Sequence, residues 1–285
     1  GNGDDDRAEI EAVKQERILQ EREEYAKAVG NSDHALLAAI FLKGAATGTD
    51  EGSRKRFCDS LGLSFPGMRD IAQLFSQLDA SLVSAGFRST RESNRNAKSW
   101  RIIHACAVSA MAPSLLVKVR RPATKYQETA EGSKEKDGEA RELQFFIRTA
   151  EIDDDPTQSQ PREERVFIHP SSANFTNGNY SCPVLVYHSM VRTSKPFLRD
   201  VTECSAYSLL LFGGDIEVKA ADDIVLIDGW VELSANARIG SLIGGLRRRV
   251  DILLSRKVED PSYDVSTASE MKLIVKLIKT DGLGA

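Results

Sequence analysis

The sequence predicts an α+β protein: a small helical bundle, then a small antiparallel β-barrel, then C-terminal helices. Three observations predict it. Apolar residues recur at helical spacing up to Met111, ahead of Pro113. From Leu115 to Leu233, short apolar runs alternate with turn sequences such as Asn177-Gly178, Gly213-Gly214-Asp215 and Asp228-Gly229, as in a barrel of closely spaced strands. Helical spacing then returns to the end of the chain.

Residues 1–31 read as a charged helical lead-in. Arg7–Val29 is dense in Glu, Lys, Arg and Gln, so this helix rests on charge pairs four residues apart rather than on a buried face. Residues 32–114 form the expected bundle. Ser32-Asp33 is a plausible N-cap for the apolar run Ala35–Phe41, and a second helix covers Arg54–Ser60. Ser64-Phe65-Pro66 opens the clearest helix, in which Met68, Ile71, Leu74/Phe75, Leu78 and Leu82 predict a core-facing stripe and Gly86 the stop. Trp100–Met111 is expected to complete the bundle.

Residues 115–235 form the expected barrel. Its strands are predicted at Leu115–Val119, Leu143–Ile147, Arg165–Ile168, Val184–His188, Met190–Thr193, Ser208–Phe212, Ile216–Lys219, Ile224–Ile227 and Trp230–Leu233. Two polar stretches, about 122–142 and 151–163, are poor in large apolar residues and read as loops. Residues 236–285 are expected to be helices packed on the barrel. Ile239, Leu242/Ile243, Leu246, Val250, Leu253 and Val258 form one stripe, and Met271, Ile274/Val275 and Ile278 a second.

Composition narrows the function classes. Apolar residues at 41% and charged residues at 28% suit a folded domain, and no apolar run approaches the length of a bilayer span. No membrane partner is expected. The start lacks a signal-peptide pattern, and four dispersed cysteines without a CxxC fit reduced thiols, so an intracellular, cytoplasmic rather than nuclear, location is expected. Nine acids against five bases in residues 1–30 account for the whole net charge of −4. Nucleic-acid binding therefore has to come from local basic clusters. The sequence holds no GxxxxGK[ST] loop, DExH tetrad, GxSxG or HExxH, and its four histidines are scattered. No catalytic residue and no metal ligand is assigned.

The most distinctive string is Val166-Phe167-Ile168-His169-Pro170-Ser171-Ser172-Ala173-Asn174-Phe175. It is followed by Tyr187-His188, by Thr193-Ser194-Lys195, and by Phe197-Leu198-Arg199-Asp200-Val201-Thr202. This order resembles the OB-fold of DEAH/RHA-type RNA helicases: an HPSS turn, a YHxxxxTSK strand and loop, then (Y/F)(M/L)RDxT. Leu210–Ile216, Asp228-Gly229-Trp230 and Ala237-Arg238-Ile239 look like the branch that includes G-quadruplex-resolving and translation-associated helicases. Upstream, Ser32-Asp33-His34 before an apolar helix is similar to the opening of the family's ratchet-like helical domain, although Lys43-Gly44-Ala45 stands where many members have KGW.

The resemblance covers roughly residues 32–280 and implies the C-terminal region of such an enzyme, a ratchet-like bundle plus an OB-fold. The RecA-like motor is missing, so the sequence is expected to be a piece of a longer chain. The piece alone is not expected to be an enzyme; the longer chain is, as an ATP-dependent helicase using ATP and Mg. The implied partner is single-stranded or structured RNA guided beside the motor. The implied contacts are His169, Ser171 and Ser172 of the HPSS turn, Thr193, Ser194 and Lys195 of the next loop, and Arg199. Arg69 and Gln73, with Gln77, are implied on the ratchet helix. On the residues alone, those hydroxyls equally suit turn caps and that helix face equally suits solvent. Two other readings stay open: a module docking the helicase to a ribosome or cofactor protein, and a free-standing OB nucleic-acid binder.

Overall fold

The computed structural model describes residues 2–48, 50–87, 89–121, 126–129, 132–135, 140–149 and 162–282. They fall into two compact units, one of residues 1–30 and 35–90, the other of residues 31–34 and 91–285.

The first unit is helical: α1 (Asn2–Val29), α2 (Asp33–Ala46), α3 (Glu51–Ser60) and α4 (Phe65–Ser84). Only the first two residues of α2 belong to the other unit. Exposed pairs Arg17–Glu21 and Glu23–Lys27 support α1, as its charge pattern predicts. Ile18 is buried against Gly62, which turns with φ 60, and Arg22 donates to the carbonyls of Leu61 and Gly62 at 3.0 and 3.3 Å. That fastens the turn after α3 to α1. Asp50 caps α3 by accepting from the Ser53 N–H at 2.8 Å, and Ser64 caps α4 through the Gly67 N–H at 3.2 Å.

α4 departs from expectation. Its apolar stripe forms, but Ile71, Leu74, Phe75, Leu78 and Leu82 are each 50–58% exposed and α4 has no buried residue. Spacing specifies an apolar face; it does not supply the partner.

The second unit has two cores. Five strands close a barrel in the order β1 (Leu116–Arg120), β4 (Gln144–Thr149), β5 (Arg162–Ile168), β7 (Pro196–Glu203), β6 (Val184–Arg192). All neighbours are antiparallel except β5 and β7, which run parallel with Phe167 opposite Phe197 and Ile168 opposite Leu198. The expected all-antiparallel barrel is therefore mixed. Val117, Val119, Phe145, Ile147, Val166, Ile168, Leu185, Tyr187, Leu198 and Val201 point inward and fill it. The alternate residues Leu116, Val184 and Val186 point outward into the second core.

That second core gathers α5 (Trp100–Met111), α6 (Ala206–Phe212), the antiparallel sheet of β8 (Ile216–Lys219), β9 (Ile224–Ile227) and β10 (Val231–Ser234), then α7 (Ala237–Glu259) and α8 (Ser269–Thr280). Three corrections follow. α5 buries Ala105, Val108 and Met111 here, so the boundary expected at residue 114 falls too late. β8–β10 form their own sheet rather than barrel strands. Ser208–Phe212 is helical, capped by Ser205 and stopped at Gly213. Because Ser208, Leu209, Leu210 and Leu211 are all buried, this segment carries no periodicity that separates helix from strand.

The polar stretch 122–142 contains a hairpin, β2 (Tyr126–Thr129) with β3 (Gly132–Glu135), and a single 3-10 turn at Ala140–Glu142; its remaining residues lie outside the described ones. In the second expected loop, residues 151–161 lie outside the described residues, and Arg162 and Glu163 open β5.

Candidate nucleic-acid interface

Strand alternation builds the site. Val166 and Ile168 face the barrel core, so Arg165, Phe167 and His169 stand on the outer face of β5. Leu198 faces inward on β7, so Phe197 and Arg199 stand outward beside them. The parallel register brings the Phe167 and Phe197 rings to 6.1 Å. His169 extends the ladder, its N–H donating to the Leu198 carbonyl at 2.9 Å, and its ring meets Phe197 edge-on at 5.9 Å. Arg199 Nη2 lies 3.2 Å from His169 Nε2. At the other end, the Thr193 N–H donates to the Lys195 carbonyl, closing the β6–β7 turn. Lys195 Nζ then sits 4.6 Å from the Phe167 ring centre, with the Arg165 guanidinium at 5.4 Å. Lys195, Phe167, Phe197, His169 and Arg199 thus form one continuous strip of three rings with a cation at each end.

The next stretch of the barrel surface is occupied. Arg148 donates to the Asp228 carbonyl at 2.7 Å, Lys118 to the Trp230 carbonyl at 3.4 Å, and Trp230 Nε1 to Glu163 at 2.9 Å. The turn between β9 and β10 is stapled there, which confines the open strip to β5 and β7.

The residues implied from sequence separate into four groups. His169, Lys195 and Arg199 lie on the strip. Ser171, Thr193 and Ser194 are exposed beside it, and Ser171 Oγ is 2.7 Å from His169 Nδ1. Ser172 is 8% exposed and its hydroxyl donates to Asp33 at 2.6 Å, so it is an internal brace rather than a contact residue. Arg69 and Gln73 are exposed on α4 in the other unit.

Two family models match the chain: an oligonucleotide/oligosaccharide-binding (OB)-fold over residues 103–216 and the C-terminal domain in RNA helicases over residues 223–280. The chain is 31% identical over 277 residues to ATP-dependent DNA/RNA helicase DHX36 of Bos taurus, covering 91% of this chain and 24% of that protein. It is 29% identical over 300 residues to putative ATP-dependent RNA helicase DHX57 of Homo sapiens, covering 94% and 20%. Against DExH-box ATP-dependent RNA helicase DExH1 of Arabidopsis thaliana it is 39% identical over 119 residues, covering 41% and 12%.

Its two matched domains are those of the C-terminal region of DEAH/DExH-box RNA helicases. The chain spans a quarter or less of the length of these relatives. The OB-fold match begins inside α5, in keeping with the packing of that helix in the second unit, and the C-terminal match runs from β9 to the end of α8. Among the described residues no group of three or more His, Cys, Asp or Glu is placed to hold a metal, and no helix is long and apolar enough to cross a membrane. The sequence holds no GxxxxGK[ST] phosphate-cradling loop.

Beneath the strip lies a buried polar clip that sequence reasoning missed. Residues 31–34 run along β7: Ser32 bridges to Thr202, the Glu203 N–H donates to the Asn31 carbonyl at 2.8 Å, and Thr202 Oγ1 meets Ser32 Oγ at 2.8 Å and His34 Nδ1 at 2.7 Å. Asp33 accepts from Ser172 Oγ, the Ala173 N–H and the Val201 N–H at 2.6, 2.8 and 2.8 Å. Burial pushes its carboxyl above the ordinary value, against the pull of those three bonds. Burial likewise holds the His34 imidazole below its ordinary value. The thiols of Cys182 and Cys204 are buried and pushed up, the first to about 12, which leaves them unreactive packing groups; Cys106 is exposed.

Proposed function

We propose that this helicase segment holds single-stranded RNA on the outer face of β5 and β7, guiding it beside an ATP- and Mg-using motor elsewhere in the whole protein. The observation carrying this reading is the unbroken run Lys195–Phe167–Phe197–His169–Arg199. Such a run offers what an unpaired strand needs: ring faces and edges for bases, and a cation at each end for phosphates. A duplex hides its base faces and gains only the charge contacts.

Lys195 has to leave the Phe167 ring for a base to stack there. An exposed cation–π contact is worth about 0.5–1 kcal/mol, whereas a base stacked on an aromatic ring is worth about 1–3 kcal/mol. The exchange favours the base, and the displaced ammonium is then available to a phosphate. Arg199 can exchange His169 for a phosphate in the same way, since a phosphate offers the guanidinium two anionic acceptors where the ring offers a single nitrogen.

The test is fluorescence anisotropy of the 285-residue chain with labelled oligouridylate and with a duplex of equal length, at several salt concentrations. Preferential binding of the single strand, weakened by salt and by Lys195→Glu, supports the reading. No binding at low salt would leave docking to a ribosome or cofactor protein as the better account.

A further inference from the structure

We infer that Asp33 is a positioning residue that sets the HPSS turn for RNA contact, an inference that rests on the RNA reading of β5 and β7. Asp33 is 5% exposed. Its oxygen Oδ2 accepts from both Ser172 Oγ and the Val201 N–H, while Oδ1 accepts from the Ala173 N–H. One carboxylate therefore ties the end of the turn, Ser172-Ala173, to β7 two residues beyond Arg199. The start of the turn is tied to the same strand by the His169 N–H on the Leu198 carbonyl, and the Ser172 N–H closes the turn on the His169 carbonyl. His169 and Arg199 are held between these two ties, and their 3.2 Å approach follows from them. Between the ties, Asp200 takes a left-handed conformation (φ 55), so β7 departs from a regular strand where Asp33 grips it.

Only an acceptor at both oxygens can do this. An amide in place of the carboxylate presents an N–H₂ to one of three converging donors and leaves it unpaired. Neighbouring Thr202 offers an internal comparison. It is fully buried and holds Ser32 and His34 to β7 in the same clip, its hydroxyl bonded to those two side chains. Loss of the Thr202 hydroxyl disturbs the clip; loss of the Asp33 charge disturbs the clip and the turn.

The test compares Asp33→Asn and Thr202→Val in the full 285-residue chain by urea unfolding, by anisotropy with labelled oligouridylate, and by ¹⁵N resonances of the His169 ring. Asp33→Asn is expected to weaken binding about tenfold and to shift the His169 resonances. Thr202→Val is expected to lose stability while changing affinity less than about twofold and leaving those resonances in place. Should Asp33→Asn fail to fold by circular dichroism, Ser172→Ala, which removes one donor, carries the test with a smaller effect in the same direction. Wild-type affinity in Asp33→Asn, or parallel losses of affinity and stability in both variants, overturns the inference while the RNA reading stands. A wild-type chain that binds no oligouridylate overturns both.

Discussion

Phe167 and Phe197 meet at 6.1 Å because β5 and β7 run parallel with these two residues opposite each other. Neither ring is needed to fill the barrel, whose core is complete with Val166, Ile168, Leu198 and Val201 on the inward side. Truncating either ring should therefore cost binding more than folding. Phe167→Ala and Phe197→Ala are each expected to lose about 1–3 kcal/mol of single-strand affinity, with the salt dependence unchanged, in anisotropy titrations at fixed salt.

The cations at the two ends act differently. Lys195→Ala and Arg199→Ala each remove one phosphate partner, so each should lower the slope of log K against log salt by about 0.7. A salt series on wild type and the two variants measures this directly. An unchanged slope in both would mean that neither side chain meets a phosphate.

The clip below the strip is sensitive to acid. His34 is packed against Thr202 and His188, and burial outweighs the attraction of Asp200 and Asp33, so its folded-state value lies below the ordinary 6.5. The unfolded chain takes up that proton first as pH falls. The contribution of His34 is therefore fully present above pH 6.5 and is lost as pH falls through its depressed folded value. Urea unfolding at pH 7.5, 6.5 and 5.5 should show wild type losing stability relative to His34→Gln over that range.

α6 carries a packing prediction. Leu209 is fully buried among α5, α6 and α8 side chains, and Leu209→Ala should cost about 2–5 kcal/mol of stability by urea denaturation. An effect below about 1 kcal/mol would mean that α6 is not part of this core.

Much of this was legible in the sequence because the informative strings are local. The HPSS and TSK strings marked the two ends of the strip, and the helical spacings of α4, α5, α7 and α8 were all realised. What escaped depends on pairing between distant residues. Phe167 and Phe197 fall in separate motifs, and only the parallel register makes them neighbours. β7 follows a loop motif with no alternation of its own to mark it, and alternation in β8–β10 does not say which sheet a strand joins. Ser172 looked equivalent to Ser171 until the turn placed one hydroxyl on Asp33 and the other on His169. Asp33 read as a helix cap because its other role depends on a turn 139 residues away.

Photocrosslinking of 4-thiouridine-substituted oligouridylate to the full chain, with the adducts located by mass spectrometry, tests the central claim most directly. Adducts on the peptides holding Phe167, His169, Lys195 and Phe197 are the predicted result. Adducts confined to other surfaces, with these peptides unmodified while binding persists, would contradict it.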